Sequence, residues 1–235
     1  MRALILAGGL GTRLKPITQT TPKCLVKIKN RPLLDYWLEK LTNAGIKKIL
    51  INTHWLSNKV EDFICNSKWS KFVDLIYEKK LLGTGGTLSS NYEYFKNEEI
   101  LVLHADNFSK VNLNDFINKH KTRPNNCQIT LLSFITDDPT NCGIIKTNKQ
   151  NIITEFHEKV KNPPGNVANG AVYIFENKVL SSLVLKRKKI KEITTDLIPS
   201  YLGRIYNVTT NYYHRDIGNL KSYSQCKIDI NKMEI

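Results

Sequence analysis

A glycine-rich segment near the N-terminus carries residues whose types and spacing point to phosphate chemistry. Gly8, Gly9 and Gly11 follow an apolar run, and Arg13 and Lys23 come shortly after them. Glycines let the backbone approach a ligand closely, and successive backbone N–H groups form an anion-binding concavity. Two cations beside such a loop suit a triphosphate attacked at its α-phosphorus, with arginine as a bidentate clamp on leaving pyrophosphate and lysine as a point charge. We therefore predict a phosphate site here.

Two other phosphate-binding motifs do not fit this segment. A dinucleotide-binding fingerprint needs a third glycine three positions after Gly11, where the chain has Leu14, and the Gly-Lys-Ser/Thr of a Walker A motif is absent. The alternative interpretation is a tight turn with two solvated cations. The joint occurrence of the loop, Arg13 and the Pro22-Lys23 pair favours the phosphate site over that turn.

Two aspartates could hold a metal beside these phosphates. Asp106 follows the apolar run 100–105, and Asp216 precedes Gly218 and a predicted helix. Attack of one phosphate on another brings like charges together, and Mg²⁺ neutralises such charge while binding one or two carboxylates plus phosphate oxygens. Taken alone, each aspartate is more typical of a helix cap or a turn than of a metal ligand.

These residues together resemble a known family, the sugar-1-phosphate nucleotidyltransferases. Residues 3–14 match its first strand and its Gly-Gly-x-Gly-Thr-Arg-Leu motif, Pro22-Lys23 matches its Pro-Lys pair, and a weaker resemblance extends to about residue 218. The resemblance implies a Rossmann-like fold and transfer of a nucleoside monophosphate from an NTP to a sugar 1-phosphate, with Mg²⁺ as cofactor and pyrophosphate as second product. The loop 82–87 looks most like that of guanylyltransferases acting on mannose or heptose 1-phosphates, which favours GTP.

The same resemblance implies roles for individual residues. Arg13 and Lys23 are the expected catalytic cations, and Asp106 and Asp216 the expected metal ligands. The expected nucleotide contacts are Leu6, Ala7, Gly8, Gly9, Gly11, Thr12, Thr84, Gly85 and Gly86. The expected sugar contacts are Asp106, Gly143, Glu158, Lys159 and Asn169. The chain departs from the family pattern at three positions. Ala105 stands where the family often has glycine, and His214 stands where it has tryptophan. Ala171 stands at the glycine of the family's Asn-x-Gly motif.

The elements that position these residues are predicted from apolar patterning. The predicted strands cover residues 1–7, 48–52, 72–77, 100–105, 129–135, 143–146, 169–175 and 204–208. The predicted helices cover residues 32–44, 57–64 with Ser57 as a candidate cap, a short stretch after the loop 82–86, 195–201 and the stretch after Gly218. Alternation of strands and helices in the first half predicts an α/β, Rossmann-like, doubly wound fold with a mostly parallel mixed sheet. We predict one catalytic domain over residues 1–235, with a nucleotide-binding half at 1–110 and an acceptor-binding half at 111–235.

The charge of the chain leaves other functions open. Among 235 residues, 35 Lys and Arg against 21 Asp and Glu give a formal charge of +14. A basic protein can bind nucleic acid or small phosphorylated anions. A nucleic-acid module leaves the glycine loop and both aspartates unexplained, and the basic run 186–191 is typical of a solvated surface. Cytidylyl or uridylyl transfer to another phosphorylated acceptor, and a regulatory relative that binds nucleotide without turnover, stay as alternatives.

The spacing of the cysteines and the length of the apolar runs indicate the cellular compartment of the protein. The five cysteines are scattered without a Cys-x-x-Cys pair, so we expect reduced thiols and no zinc site. No apolar run approaches the roughly 20 residues of a membrane span, and the N-terminal run is too short for a signal peptide. We therefore predict a cytoplasmic protein without a membrane partner and leave homo-oligomerisation open. No hexapeptide repeat follows the last predicted helix, so an added acyltransferase domain is not expected.

Overall fold

The computed structural model describes residues 1–185 and 190–233, within which strands and helices follow one another along the chain. The strands are β1 (Arg2–Leu6), β2 (Lys27–Ile28), β3 (Arg31–Pro32), β4 (Ile49–Thr53), β5 (Val73–Tyr77), β6 (Ile100–His104), β7 (Asn107–Ser109), β8 (Ile129–Ile135), β9 (Gly143–Thr147), β10 (Ile153–Glu158), β11 (Val167–Phe175), β12 (Ile205–Thr209) and β13 (His214–Asp216). The α-helices are α1 (Leu33–Asn43), α2 (Ser57–Cys65), α3 (Thr84–Ser90), α4 (Tyr92–Phe95), α5 (Leu113–Lys121), α6 (Asn177–Leu185) and α7 (Leu220–Lys232).

The chain divides into two compact units, each assembled from separate stretches of the sequence. The first unit comprises Met1–Arg2, Leu82–Leu103 and Asn112–Asn211. The second unit comprises Ala3–Leu81, His104–Val111 and Tyr212–Ile235. The predicted division into nucleotide and acceptor halves concerns function and stays a prediction.

A parallel sheet forms the centre of the second unit. Strand β4 lies between β1 and β5, with Ala3 opposite Ile49 and Ile49 opposite Val73. The middle of β1 and all of β4 are buried, which suits parallel strands covered on both faces. Helix α1 buries its apolar face and ends before Gly45, whose φ of +80° suits a glycine stop. The strands and the helix predicted here are confirmed.

A short antiparallel pair in the second unit brings distant residues together. Strand β7 pairs with β13 so that Asn107 faces Asp216, and the N–H of Ile217 donates to the carbonyl of Asp106 at 3.0 Å. Phe108 and Ile217 are buried in one apolar cluster with Leu14. This cluster fixes the segments that carry Asp106 and Asp216.

The first unit is organised around β11, which makes its sheet mixed. Strand β11 runs antiparallel to β6, β8 and β9, while β12 runs parallel to β8. Together with the parallel sheet of the second unit, this arrangement confirms the predicted α/β class with a mixed sheet.

Several local expectations need correction. Ser57 is the first helical residue of α2 rather than its cap, because Leu56 precedes it in a left-handed conformation with φ of +52°. Residues 195–201 form a π-helical turn at Ile193–Leu197 and a 3₁₀ turn at Ile198–Tyr201. Helices α5 and α6 and the β7–β13 pairing were not predicted. Residues 186–189 of the basic run lie outside the described residues.

The five cysteines are scattered over the fold as free thiols. Cys24, Cys127 and Cys226 are buried, and Cys65 is exposed. No helix within residues 1–185 and 190–233 is long and apolar enough to cross a membrane.

Candidate active site

The glycine loop of the second unit follows β1 and is held by hydrogen bonds to neighbouring segments. Half-buried Leu6 ends β1 and accepts from the N–H of Ala105 at 3.0 Å, while Ala7 donates its N–H to Oδ1 of Asn52 at 2.8 Å. A Cβ on Gly8 would lie 2.9 Å from Nδ2 of Asn52, so the close approach of these groups requires glycine.

The second half of this loop turns sharply towards the cations. Gly11 has φ of +64°, and a Cβ there would lie 2.8 Å from Cγ2 of Thr18. Thr18 Oγ1 donates to the Gly11 carbonyl at 2.6 Å. Gly9 has open space around it, and exposed Thr12 begins the 3₁₀ turn that carries Arg13. The loop is thus shaped by Gly8 and Gly11.

The predicted cations and carboxylates of the second unit lie together. Lys23 forms an ion pair with Asp106, and its Nζ is 3.8 Å from Oδ1 of Asp216. A Cβ on Gly218 would be 3.3 Å from Nη2 of Arg13 and 2.8 Å from Oδ2 of Asp216. Four residues predicted from separate parts of the sequence therefore form one charged cluster.

Lys23 and Asp106 each stabilise the charged form of the other. Burial alone would lower the pKa of Lys23, whose side chain is only 11% exposed, but Asp106 and Asp216 raise that pKa above its ordinary value. Burial would likewise raise the pKa of Asp106, yet the ammonium of Lys23, with a smaller contribution from His104, holds it below its ordinary value. Lys23 is therefore an ammonium and Asp106 a carboxylate at neutral pH.

The donor set of the cluster fits a magnesium ion. Two carboxylates, from Asp106 and Asp216, face the single ammonium of Lys23, so both can approach one cation. Mg²⁺ takes one or two carboxylates and completes its shell with water and substrate phosphates. No cluster of three or more His, Cys, Asp or Glu suited to a metal occurs in the part of the chain that the structure describes. A magnesium ion here would need substrate oxygens.

The second glycine loop lies in the first unit and is tied to the segment before the π-helical turn. Glu192 accepts from the hydroxyl of Thr84 at 2.9 Å and from its N–H at 3.3 Å. The carbonyl of Lys191 accepts from the N–H groups of Gly85 at 2.8 Å and Gly86 at 3.1 Å. These three N–H groups are therefore already hydrogen-bonded within the protein. The predicted nucleotide contacts at Thr84, Gly85 and Gly86 stay predictions, which other atoms of these residues would have to supply.

Two of the predicted sugar residues of the first unit, Glu158 and Asn169, lie near Tyr173. A Cβ on Gly143 would lie 2.8 Å from Oε2 of Glu158, its partner in the β9–β10 pair. Asn169 donates from Nδ2 to the hydroxyl of Tyr173 at 2.7 Å. Burial raises the pKa of Tyr173, and the nearby charge of Glu158 adds to that shift. This group is small, polar and suited to sugar hydroxyls.

Lys159 and Ala171 flank this group. The side chain of Lys159 is exposed, and its Nζ is 3.3 Å from Oε1 of Glu158. Ala171 has φ of +51° and donates its N–H to Oδ1 of Asn169 at 3.0 Å. Because a positive φ favours glycine, the structure explains why the family pattern has glycine where this chain has alanine. The side chain of Asn169 is thus oriented by the backbone N–H of Ala171 and by the hydroxyl of Tyr173.

Sequence reasoning missed four polar residues that shape these sites. Asn52 and Glu78 stand at or just after the ends of β4 and β5, where ligands bind in open α/β sheets, so their position was a usable signal. Tyr173 and Glu192 gave no such signal, because their contacts with Asn169 and Thr84 depend on tertiary pairing.

Comparisons with known proteins bear on the family and the fold of this chain. A family model described as nucleotidyl transferase matches residues 2–233. A mannose-1-phosphate guanylyltransferase of Mycobacterium tuberculosis is 27% identical over 97% of this chain, which spans 64% of that protein's length, less than two thirds. A D-glycero-alpha-D-manno-heptose 1-phosphate guanylyltransferase of Campylobacter jejuni is 29% identical, covering 80% of this chain and 81% of that protein.

A solved structure extends the likeness to the fold. A Bacillus anthracis protein, provisionally named a glucose-1-phosphate thymidylyltransferase and solved with sucrose, has a TM-score of 0.87 and 24% identity. The match covers 97% of this chain and 94% of that one. Because the two sequences are only 24% identical, this similarity shows a shared fold and nothing further.

Proposed function

Because the chain belongs to the nucleotidyl transferase family, we propose that it transfers a nucleoside monophosphate from an NTP to a sugar 1-phosphate and releases pyrophosphate. The names of the mycobacterial and Campylobacter relatives favour GTP as the donor and a mannose or heptose 1-phosphate as the acceptor. The observation that carries the proposal is the cluster of Arg13, Lys23, Asp106 and Asp216 beside the glycine loop.

The reaction is a substitution at phosphorus. An oxygen of the sugar phosphate attacks the α-phosphorus, a new P–O bond forms, and the bond from that phosphorus to the bridging oxygen breaks with its electron pair leaving on pyrophosphate. The attacking phosphate is already ionised at neutral pH, so no general base is required. Catalysis therefore depends on position and on neutralising charge.

The residues of the cluster suit that task. Arg13 offers two parallel N–H donors to the leaving pyrophosphate, and Lys23 offers a compact charge near the α-phosphate. Asp106 and Asp216 would hold a magnesium ion. When bound, Mg²⁺ supplies neutralisation of the phosphate oxygens. The two aspartates also keep Lys23 protonated, as its raised pKa indicates.

A substrate panel tests the proposal. The protein is incubated with Mg²⁺, each of GTP, ATP, CTP, UTP and dTTP, and phosphorylated acceptors that include mannose, heptose and glucose 1-phosphates, and released pyrophosphate is measured. We expect release with GTP and a mannose or heptose 1-phosphate. Absence of release with every pair would contradict the proposed activity.

Asp106→Asn tests the role of the cluster. We expect pyrophosphate release to fall about 100-fold or more, because removal of one electrostatic stabiliser commonly has that effect. Asp62→Asn, at an exposed position of α2, is the matched control and should leave the rate unchanged. Near-normal release by a folded Asp106→Asn protein would remove Asp106 from the site.

A further inference from the structure

A polar cavity in the first unit contains none of the residues predicted to contact substrate. Its volume is about 340 Å³, and small-molecule sites typically measure about 300–1,000 Å³. It is lined by two cations, a carboxamide and three hydroxyls, which belong to Lys178, Arg204, Gln128, Ser182, Ser200 and Tyr201. None of the described residues that line it is acidic. The lining therefore favours an anion that also carries polar groups.

The cavity lies at the opposite end of β11 from the predicted sugar contact Asn169. The N–H of Glu176, which directly follows β11, donates to the carbonyl of Gln128 at 3.0 Å. Asn169 lies near the start of the strand and Phe175 at its end. At about 3.3 Å per residue, these two positions are about 20 Å apart. The cavity is thus a separate site within the first unit.

Arg204 is held in one orientation at the edge of the cavity. Its Nη2 donates to the carbonyl of Ser200 at 2.7 Å, and its Cζ lies 4.7 Å from the ring centroid of Tyr201. A guanidinium has five N–H donors. Among the residues that the structure describes, Arg204 forms no ion pair with a carboxylate. Its other donors can therefore bind an anion without first breaking a salt bridge.

Lys178 adds a second cation to the same cavity. Its Nζ is 2.5 Å from Oε2 of Glu176, and this carboxylate also contacts Arg123. One carboxylate thus faces two cations, and their excess positive charge adds to that of Arg204. Positive charge concentrated in a concave surface attracts anions.

The hydroxyls of the cavity offer acceptor oxygens. Ser182 Oγ donates to the carbonyl of Val179 at 3.1 Å, so it accepts from the hydroxyl of Tyr201, 3.0 Å away. Ser200 Oγ donates to the carbonyl of Leu197 at 2.8 Å. Because a hydroxyl has one proton and two lone pairs, the oxygens of Tyr201 and Ser200 can each accept from a hydroxyl group of a ligand.

We propose that this cavity binds a phosphate monoester of a polyhydroxy compound. The phosphate oxygens accept from Arg204 and Lys178, and the hydroxyl groups of the ligand donate to Tyr201 and Ser200. A guanidinium suits phosphate because it offers two parallel N–H donors. The inference goes beyond the proposed function and does not depend on it, since binding here requires no NTP.

A titration without nucleotide tests the site and locates it. Amide resonances of isotope-labelled protein are followed by NMR as glucose 6-phosphate, inorganic phosphate or glucose is added. We expect glucose 6-phosphate to shift the amides of Ser182, Ser200, Tyr201 and Arg204 saturably, with a Kd of about 1 mM or tighter. We expect weaker binding of inorganic phosphate and no saturation with glucose. Shifts confined to other residues, or phosphate binding as tight as that of glucose 6-phosphate, would overturn the proposal.

Arg204→Gln tests the phosphate contact. We expect the affinity for glucose 6-phosphate to fall about tenfold or more, because charge-assisted bidentate contacts are lost. Lys149→Gln, at an exposed position in the turn between β9 and β10, removes the same charge and should keep the wild-type affinity. Equal affinities of the two folded variants would show that net charge alone attracts the anion, which would also overturn the proposal.

Tyr201→Phe tests recognition of the hydroxyl groups. The variant keeps the ring beneath Arg204 and removes one acceptor oxygen. We expect the affinity for glucose 6-phosphate to fall about threefold or more, since one hydrogen bond is lost, while that for inorganic phosphate stays unchanged. An unchanged affinity for glucose 6-phosphate would reject a polyhydroxy ligand.

The outcomes separate this inference from the proposed activity. Pyrophosphate release in the substrate panel without amide shifts at the cavity keeps the reaction and rejects this site. Saturable shifts at the cavity without pyrophosphate release from any substrate pair keep this site and reject the reaction.

Discussion

At the scale of single residues, the two cations of the cluster differ in what they contribute. Arg13 lies on an exposed turn, while Lys23 is almost covered and contacts Asp106 and Asp216. A guanidinium binds phosphate through two parallel donors, and an ammonium acts as a point charge. Exchange of one cation for the other at position 13 therefore changes geometry without changing charge.

Arg13→Lys should lower kcat by about tenfold or more while leaving stability unchanged, because the bidentate contact is lost and the side chain is exposed. Lys15→Ala, at an exposed position two residues away, is the control and should stay near the wild-type rate. Steady-state pyrophosphate release and thermal unfolding measure the two effects. Full activity of Arg13→Lys would show that charge alone is required at this position.

The sequence predicted which residues of the second unit gather but not what surrounds them. Arg13, Lys23, Asp106 and Asp216 were named from motif and position, and they meet in the structure. Asn52 and Glu78 were missed because neither belongs to a recognised motif, and their importance depends on the parallel pairing of β1, β4 and β5.

At the scale of elements, the second glycine loop depends on its contact with the segment around Lys191. Gly83 has φ of +78° and ψ of +166°, a conformation that is nearly restricted to glycine. A Cβ there would clash with the carbonyl oxygen of Lys191, which accepts from the N–H groups of Gly85 and Gly86. Any side chain at Gly83 must displace this carbonyl.

Gly83→Ala should therefore destabilise the protein by about 1–3 kcal/mol more than Gly203→Ala. Gly203 shares the φ of +78° but has open space around it, so its variant carries mainly the backbone cost of about 1–2 kcal/mol. Urea denaturation of both variants gives the comparison. Equal losses of stability would mean that the contact with Lys191 does not hold the loop.

Elements with strong local patterns were predictable, whereas long-range pairings were not. Helix α1 and strand β4 were predicted because their apolar residues repeat at a regular spacing or run continuously. The pairing of Asn107 with Asp216 was not predicted, because these residues lie far apart in the sequence. Strands β7 and β13 have only three residues each, which is too short for a recognisable pattern. Ser57 was misassigned because a leucine takes the left-handed conformation before α2.

At the scale of the whole molecule, the formal charge of +14 bears on which anions the protein binds. Such a charge attracts nucleic acids as well as nucleotides, but non-specific binding weakens steeply with salt. A small substrate held by a few directed contacts loses less affinity. The two kinds of anion can therefore be distinguished by ionic strength.

We expect duplex DNA at about 0.1 µM to leave pyrophosphate release unchanged at about 150 mM salt, because non-specific dissociation constants are about 1 µM or weaker under those conditions. Fluorescence anisotropy with labelled DNA, run beside the activity assay over a salt titration, makes the comparison. Submicromolar DNA binding that competes with GTP would favour the nucleic-acid alternative.

The second unit draws on three separate stretches of chain, and Lys23, Asp106 and Asp216 each belong to a different one. During synthesis on the ribosome, the last of these carboxylates is added about 5–20 s after Asp106, at ordinary elongation rates. A nascent polypeptide thus carries its first glycine loop and Lys23 well before it can present both acids. The pair of carboxylates proposed to hold magnesium is complete only once the third stretch has been made.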